Sequence, residues 1–381
     1  MTIADCDAPK ERDTDMKIEQ SNYTLEQLCQ EVIEHTERAF EQYHVKQLKF
    51  YFYVADENWN SDFPDRYETK DYGEMTKVSA EYTNRFGAED RADFFIGPYA
   101  NESEIITILT AETQEAIDQA LLPTLSQRDD ISLMPIMLDD FQRMNELVLE
   151  HNDVRITEFK SERVPDLADA EIRPSVQRSI EYKGRDGKEA IEELRSGYGV
   201  VPVRIQYEHQ HLALKIDSRG KFTLKKINSK NFDLLFELVE EVIENVLELK
   251  DITKEIRFTE EEVQSGNLSI TVPKVEAGEV TFDREFTRVM AEKFIEGTGD
   301  HSRVDFSFTD VTMQAGSLDF SAQVVDESRG SFFSISATAD EMRIVPETNC
   351  SFPSLIEFYF CVLQLVDGSA ELDLYNSQLA S

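Results

Sequence analysis

The chain is poor in cysteine and lacks the short motifs that identify common enzyme classes. Its four cysteines have neither CxxC nor zinc-finger spacing: Cys6, Cys29, Cys350 and Cys361. Neither a zinc site nor a disulfide framework is therefore predicted, and the thiols are expected to be reduced and structural. GxSxG, GxxxxGK[ST] and GxGxxG are absent as well. Nucleophile-elbow hydrolases, P-loop enzymes and dinucleotide folds lose their usual support.

Long apolar runs are also missing. The N-terminal MTIADCDAPKERDTD is acidic and has no apolar core, so it is not expected to be a signal peptide. The most apolar helix candidate, Phe352 to Val366, is too short to span a bilayer and contains Glu357 and Gln364. We expect a cytoplasmic protein without a membrane segment.

Basic residues are scarce relative to acidic ones. The chain has 39 Lys and Arg against 76 Asp and Glu, a net charge of −37. The acids recur in nearly every block, including the solvent side of one predicted helix: Glu237, Glu240, Glu241, Glu244 and Glu248. A DNA mimic should concentrate acid on one face, whereas a coat adapted to molar salt should spread it. The even spread favours a halophilic microbe as the source, with an acidic DNA mimic as an alternative.

The charge also argues against ordinary nucleic-acid binding, which relies on Lys and Arg to neutralise phosphates. The stretch from Lys215 to Lys230 is the one basic patch, and it is typical of the solvated face of a hairpin. A protein is the favoured partner.

The length of 381 residues predicts two or three domains. Residues 1–20 are charged and poor in apolar side chains, so we expect them to be disordered. Thr24 and Gln27 have capping-box spacing and open a helix. Leu48 to Val54 alternates aromatic residues on two faces and predicts a central strand. We assign 21–164 to an N-terminal α+β domain, with a boundary in the polar segment around Pro165 and Pro174.

The second half shows the same element order twice. A strand ending at Lys183, a helix opened by Asp186, three meander strands and a long amphipathic helix fill residues 175–258. A similar unit is predicted for 259–368, followed by a polar tail, 369–381. Ser218-Arg-Gly-Lys-Phe222 and Ser328-Arg-Gly-Ser-Phe332 each occupy a hairpin turn.

This order, with its paired turns, resembles the TATA-binding-protein-like repeat, in which a curved antiparallel sheet carries helices on one face. The resemblance covers about Arg178 to Val366 and concerns topology only. It transfers no binding residues, and the sequence lacks the basic concave face expected of a DNA saddle.

Pro165-Asp166 followed by Glu181-Tyr-Lys183 resembles the PD-(D/E)xK nucleases. In those enzymes two carboxylates hold Mg²⁺ and the lysine positions or activates water. The resemblance implies that Asp166 and Glu181 bind Mg²⁺ and that Lys183 positions or activates the water. The alternative is a plain strand end that runs into a turn.

His209 and His211 are expected on one side of a hairpin, since strand residues alternate. A metal site would need a third ligand that the sequence does not supply, so a polar hairpin end is favoured. The sequence thus predicts an α+β protein of antiparallel meander sheets covered by amphipathic helices. It favours a non-enzymatic binding or interaction protein, with no assigned catalytic, cofactor or metal residues.

Overall fold

Alternating strands and amphipathic helices in the sequence assemble into antiparallel sheets with helices packed on them, as expected for an α+β protein. The structure is a computed structural model. It describes residues 24–25, 27–28, 47–59, 62–99, 102–150, 154–163, 179–208, 212–227, 232–265, 268–299, 306–313 and 319–375. The predicted disorder of residues 1–20 lies outside this part.

The first sheet has 11 strands in the order β2-β3-β4-β5-β1-β11-β10-β9-β7-β8, with β6 also paired to β1. Its first strands are β1 (Leu48–Ala55), β2 (Tyr67–Tyr72), β3 (Met75–Thr83), β4 (Glu89–Tyr99), β5 (Glu102–Thr110) and β6 (Ile131–Leu133). The others are β7 (Arg155–Arg163), β8 (Ser179–Lys183), β9 (Val200–Glu208), β10 (Leu212–Asp217) and β11 (Lys221–Ile227). Strand β1 is buried along its whole length, which confirms that it is central.

Helices cover both faces of this sheet. They are α1 (Gln114–Ala120), α2 (Leu122–Leu125), α3 (Leu138–Glu150), α4 (Gly187–Tyr198) and α5 (Asp233–Glu255). Phe52 and Phe222 share one face of the sheet with α5, and their rings meet edge to face at 5.2 Å. Tyr51 and Tyr53 lie on the opposite face, where α1 and α2 pack. Pro123 lies in the first turn of α2, a position that tolerates proline because its missing N–H would have no partner within the helix.

The C-terminal part forms a two-stranded ribbon and a second sheet. The ribbon pairs β12 (Arg257–Ser265) with β13 (Leu268–Glu276). The six-stranded sheet has the order β15-β16-β17-β18-β14-β19. Its elements are β14 (Gly278–Thr281), α6 (Arg288–Gly299), β15 (Phe306–Met313), β16 (Phe320–Asp326), β17 (Ser331–Ala337), β18 (Glu341–Pro346), α7 (Phe352–Leu365) and β19 (Glu371–Leu374). One apolar core joins both sheets through α5 and α7.

The observed pairing crosses the expected domain limits. The boundary near Pro165 and Pro174 lies outside the described residues, but β7 and β8 on either side of it are paired. Residue 258 falls inside β12, and Glu371–Leu374 of the expected tail forms β19 beside β14. These pairings could not be predicted from local composition, because they depend on hydrogen bonds between strands that are distant in sequence.

The two segments differ in element number and in sheet topology: three strands, β9 to β11, lie between α4 and α5, whereas four, β15 to β18, lie between α6 and α7. In the second segment the opening strand β14 pairs with the last meander strand, β18. In the first segment β8 pairs with β7. Strands β1 to β5 follow the same spatial order as β14 to β18. The resemblance to the TATA-binding-protein-like repeat stays a prediction.

Candidate functional site

Strands β7 to β11 present one face to the core and the other away from it. In β9, Ile205 and Tyr207 are fully buried under the helices, so Arg204 and Gln206 between them point to the outer side. Cross-strand register places Lys160 opposite Arg204 and Lys215 opposite Gln206, which extends this outer side over the neighbouring strands. Every second residue of these strands therefore contributes to one surface.

We call this outer surface of β7 to β11 the cationic face, because its cations outnumber its anions. Among the described residues the register places six cations on it: Arg155, Lys160, Lys183, Arg204, Lys215 and Lys221. Lys225, at an irregularity of the β10–β11 pairing, joins them through its contacts with Gln206 and Glu158. The anions are Glu158, Glu162, Glu181, Glu208 and Asp217. The balance is the reverse of that in the whole chain, where acids are about twice as numerous.

At the centre of the cationic face, one carboxylate is surrounded by cations from four strands. The Glu158 carboxylate lies 2.8 Å from Lys215 Nζ, 3.7 Å from Lys183 Nζ, 3.9 Å from Lys225 Nζ and 4.0 Å from Arg204. The hydrogen bond from Lys215 lowers the pKa of Glu158, and the neighbouring charges lower it further. We call these five residues the Glu158 cluster; a single anion leaves it positively charged.

The titration of Lys225 reflects this excess of positive charge. Its Nζ donates a hydrogen bond to Gln206 Oε1 at 2.6 Å, and its side chain is 27% exposed. Burial lowers the pKa of Lys225, and repulsion from Lys215, Lys183 and Arg204 adds to that lowering despite the attraction of Glu158. Burial is the larger cause of this lowering, and the repulsion from the three neighbouring cations agrees with a positive local potential.

The other cations of this face have only partial compensation. Lys160 pairs with Glu162. Arg204 lies 3.4 Å from Glu181, but its buried Nε has no hydrogen-bond partner among the described residues. The Arg204 guanidinium therefore has hydrogen-bonding capacity that the described residues do not fill, although its Nε atom is shielded from solvent.

The residues singled out by the nuclease resemblance are only partly located. Glu181 and Lys183 project from the same face of β8, where Glu181 contacts Arg204 and Lys183 contacts Glu158. Asp166 lies outside the described residues, so the three-residue site stays a prediction. Asp186 occupies the N-cap position of α4 but makes no capping hydrogen bond; its carboxylate accepts one from Tyr182.

Other candidate ligands and nucleophiles give no site in the described part of the chain. His209 and His211 lie outside it, as do Cys6 and Cys29. Burial raises the pKa of Cys350 and of Cys361 to about 12, so both thiols stay protonated at neutral pH. Among the described residues no cluster of His, Cys, Asp and Glu is arranged to hold a metal ion. No helix there is long and apolar enough to cross a membrane.

The sequence pattern identified part of the cationic face and missed the rest. Lys215 to Lys230 was expected to be a solvated hairpin face, and Lys215 and Lys225 do project from β10 and β11. Glu158 and Arg204 were not singled out. The alternation in Arg204-Ile-Gln-Tyr207 signals an outward arginine, but its cationic neighbours come from strands that are remote in sequence.

Comparison with known proteins places most of the cluster in a shared segment. A protein-family model described as a family middle domain matches residues 142–219. A protein of Archaeoglobus fulgidus described as uncharacterized is 26% identical over 286 residues, which are 71% of this chain and 75% of that protein. The matched segment 142–219 includes Glu158, Lys183, Arg204 and Lys215, whereas Lys225 follows it.

Proposed function

We propose that the chain is a non-enzymatic binding protein whose cationic face docks an acidic segment of a partner protein. The observation that supports this is the Glu158 cluster, where Lys183, Arg204, Lys215 and Lys225 converge on one carboxylate. Carboxylates of a partner could take the hydrogen-bonding capacity that Glu158 leaves unused. Complementary charge of this kind contributes specificity and the rate of encounter.

A protein segment fits this face better than a nucleic acid does. Duplex DNA carries about one negative charge per 1.7 Å of its axis. A polyanion that long would extend beyond the cationic face onto the acidic surface of a chain of net charge −37. A short acidic peptide brings few charges and needs contact only with β7 to β11.

We further propose that the protein acts in the cytoplasm of a halophilic microbe. Exposed carboxylates occur on many elements, for example Glu68 on β2, Glu240 on α5, Glu260 on β12 and Asp373 on β19. Such a spread suits screening by molar salt, where the Debye length is about 3 Å. Under that screening, short-range contacts on the cationic face persist while long-range repulsion between acidic partners is suppressed.

The proposal is tested by affinity capture from the native host at its own salt concentration. The bait is the wild type, the variant Lys183→Ala/Lys225→Ala, or the control Lys274→Ala/Arg288→Ala. The control removes two cations that are 50% and 62% exposed and lie away from the cationic face. Both variants have the same net charge, so a general charge effect cancels.

We expect the wild type and the control to retain the same protein, and the cluster variant to lose it. Equal retention by all three baits would overturn the docking site. Recovery of material that disappears after nuclease digestion, without a protein, would overturn the choice of partner.

A further inference from the structure

The two Ser-Arg-Gly turns lie at the same cavity, although they are far apart in sequence. One turn joins β10 to β11 and the other joins β16 to β17. Both contribute their serine and arginine to the wall of a cavity of about 970 Å³, which α7 also lines. This volume is near the upper end of about 300–1,000 Å³ that is usual for small-molecule sites.

The two arginines of these turns differ in how many ion pairs and hydrogen bonds they form with the protein. Arg329 is 2% exposed, and its guanidinium lies 3.1 Å from Asp326 and 2.8 Å from Glu357. Its Nε also donates to the carbonyl of Arg128 at 3.0 Å. The donors of Arg329 are thus occupied by protein acceptors.

The guanidinium of Arg219 lacks comparable contacts. In the part of the chain that the structure describes, its guanidinium has no carboxylate within 4 Å and makes no hydrogen bond; only its backbone N–H binds Asp217, at 3.1 Å. The planar guanidinium fork matches the geometry of a phosphate or carboxylate group. Among the described residues the Arg219 guanidinium forms no hydrogen bond and no ion pair within 4 Å, so it can bind a ligand oxyanion; at longer range its charge lowers the pKa of Glu357.

The rest of the wall combines charge with apolar surface. Carboxylates also line the cavity, but each has a polar contact of its own: Glu357 with Arg329, Glu162 with Lys160, Asp118 with Gln114, and Asp217 with the Arg219 amide. The apolar part of the wall includes Leu122, Pro123, Leu125, Leu133, Ile356 and Phe360. The ligand therefore needs an apolar body as well as a negatively charged head.

We propose that this cavity binds a small organic anion, with its phosphate or carboxylate head on Arg219 and its apolar body against α2 and α7. The site overlaps the edge of the cationic face, since Lys160, Glu162, Arg204, Asp217 and Lys221 belong to both. The proposed ligand is distinct from an acidic protein segment, because a cavity of about 970 Å³ lined by α2, α7 and the two turns accepts a small molecule.

The probe for this site is 8-anilinonaphthalene-1-sulfonate, which has an aromatic body and an oxyanion head, titrated by fluorescence at the salt concentration of the host. Arg219→Ala should weaken binding by more than about tenfold, the usual value of a charge-assisted hydrogen bond. Arg185→Ala, which removes an exposed arginine from the turn after β8, should leave binding unchanged. Arg219→Ala breaks no ion pair within 4 Å but removes a charge that lowers the pKa of Glu357, so its thermal midpoint should fall much less than that of Arg329→Ala.

Two further measurements keep the proposal falsifiable. Gln364→Trp, which fills the cavity without altering Arg219, should also abolish binding, and inorganic phosphate should displace the probe from the wild type. Equal affinity in Arg219→Ala and the wild type, no saturable binding by the wild type, or no competition by phosphate would overturn the proposal. Arg219 is not a member of the Glu158 cluster, so these three outcomes do not decide whether the cationic face captures a protein.

Discussion

Arg329 shows how one side chain can hold two layers of this protein together. Its guanidinium is buried between Asp326 and Glu357, and its Nε reaches the backbone of Arg128, just before β6 of the first sheet. Burial raises the pKa of Glu357, and the Arg329 guanidinium opposes that rise. The Glu357 carboxylate therefore depends on the arginine for its charge.

Arg329→Ala should destabilise the protein by about 3–5 kcal/mol, because it leaves buried carboxylates without a counter-charge. Adding Glu357→Gln to Arg329→Ala should cost less than the sum of the two single changes, since one of the buried negative charges is then gone. Free energies of unfolding from denaturant titration at constant salt measure both effects. Additive losses would show that the pair is not coupled.

At the scale of single residues, the sequence predicted those contacts that depend on neighbours in the chain. The capping box is confirmed: the Thr24 amide donates to Gln27 Oε1 at 3.2 Å, and the Gln27 amide to Thr24 Oγ1 at 3.3 Å. The different states of Arg219 and Arg329 could not be predicted from identical Ser-Arg-Gly motifs. They follow from which helices and carboxylates pack over each turn.

Among the elements, hairpin turns and helix ends follow their sequence signals closely. Helix α4 ends at Gly199 in the left-handed conformation, φ 61°, as its glycine predicts. Gly220 and Gly330 likewise have φ of 64° and 67° in the paired turns. The two turns nevertheless have different surroundings: a Cβ on Gly220 would lie 2.5 Å from the Met134 carbonyl oxygen, whereas one on Gly330 would meet nothing within 4 Å.

Alanine substitution at these two glycines should therefore have unequal effects. Gly330→Ala should cost about 1–2 kcal/mol, the price of a left-handed alanine. Gly220→Ala should cost more than that, because backbone atoms must also move away from the new methyl group. Denaturant titration of both variants measures the difference. Equal losses would mean that the β10–β11 turn is not packed against the segment at Met134.

On the scale of the whole molecule, long-range pairing decides the architecture. Leu48 pairs with Leu224 and Lys49 with Thr223, so β1 and β11 join parts of the chain that composition assigns to different domains. The α+β class could be predicted because strand alternation and helical stripes are local. The merging of the two parts into one sheet could not, because it depends on contacts across more than half of the described chain.

The net charge of −37 makes a prediction about salt. Lowering KCl from about 1 M to about 0.1 M lengthens the Debye length from about 3 Å to about 10 Å. Repulsion within the acid coat should then reduce the free energy of unfolding, as measured by thermal melting monitored by circular dichroism. An unchanged melting midpoint after dialysis into low salt would contradict adaptation to brine.

The positive potential of the Glu158 cluster is the basis of the proposed binding surface, and the titration of Lys225 measures it most directly. Its pKa can be followed by NMR of the labelled side chain, at the lowest salt in which the chain stays folded. We predict a pKa below the ordinary value of 10.5. Removing a neighbouring cation with Lys183→Met should raise it, and removing the anion with Glu158→Gln should lower it further. A pKa at or above 10.5 that neither substitution changes would contradict the account.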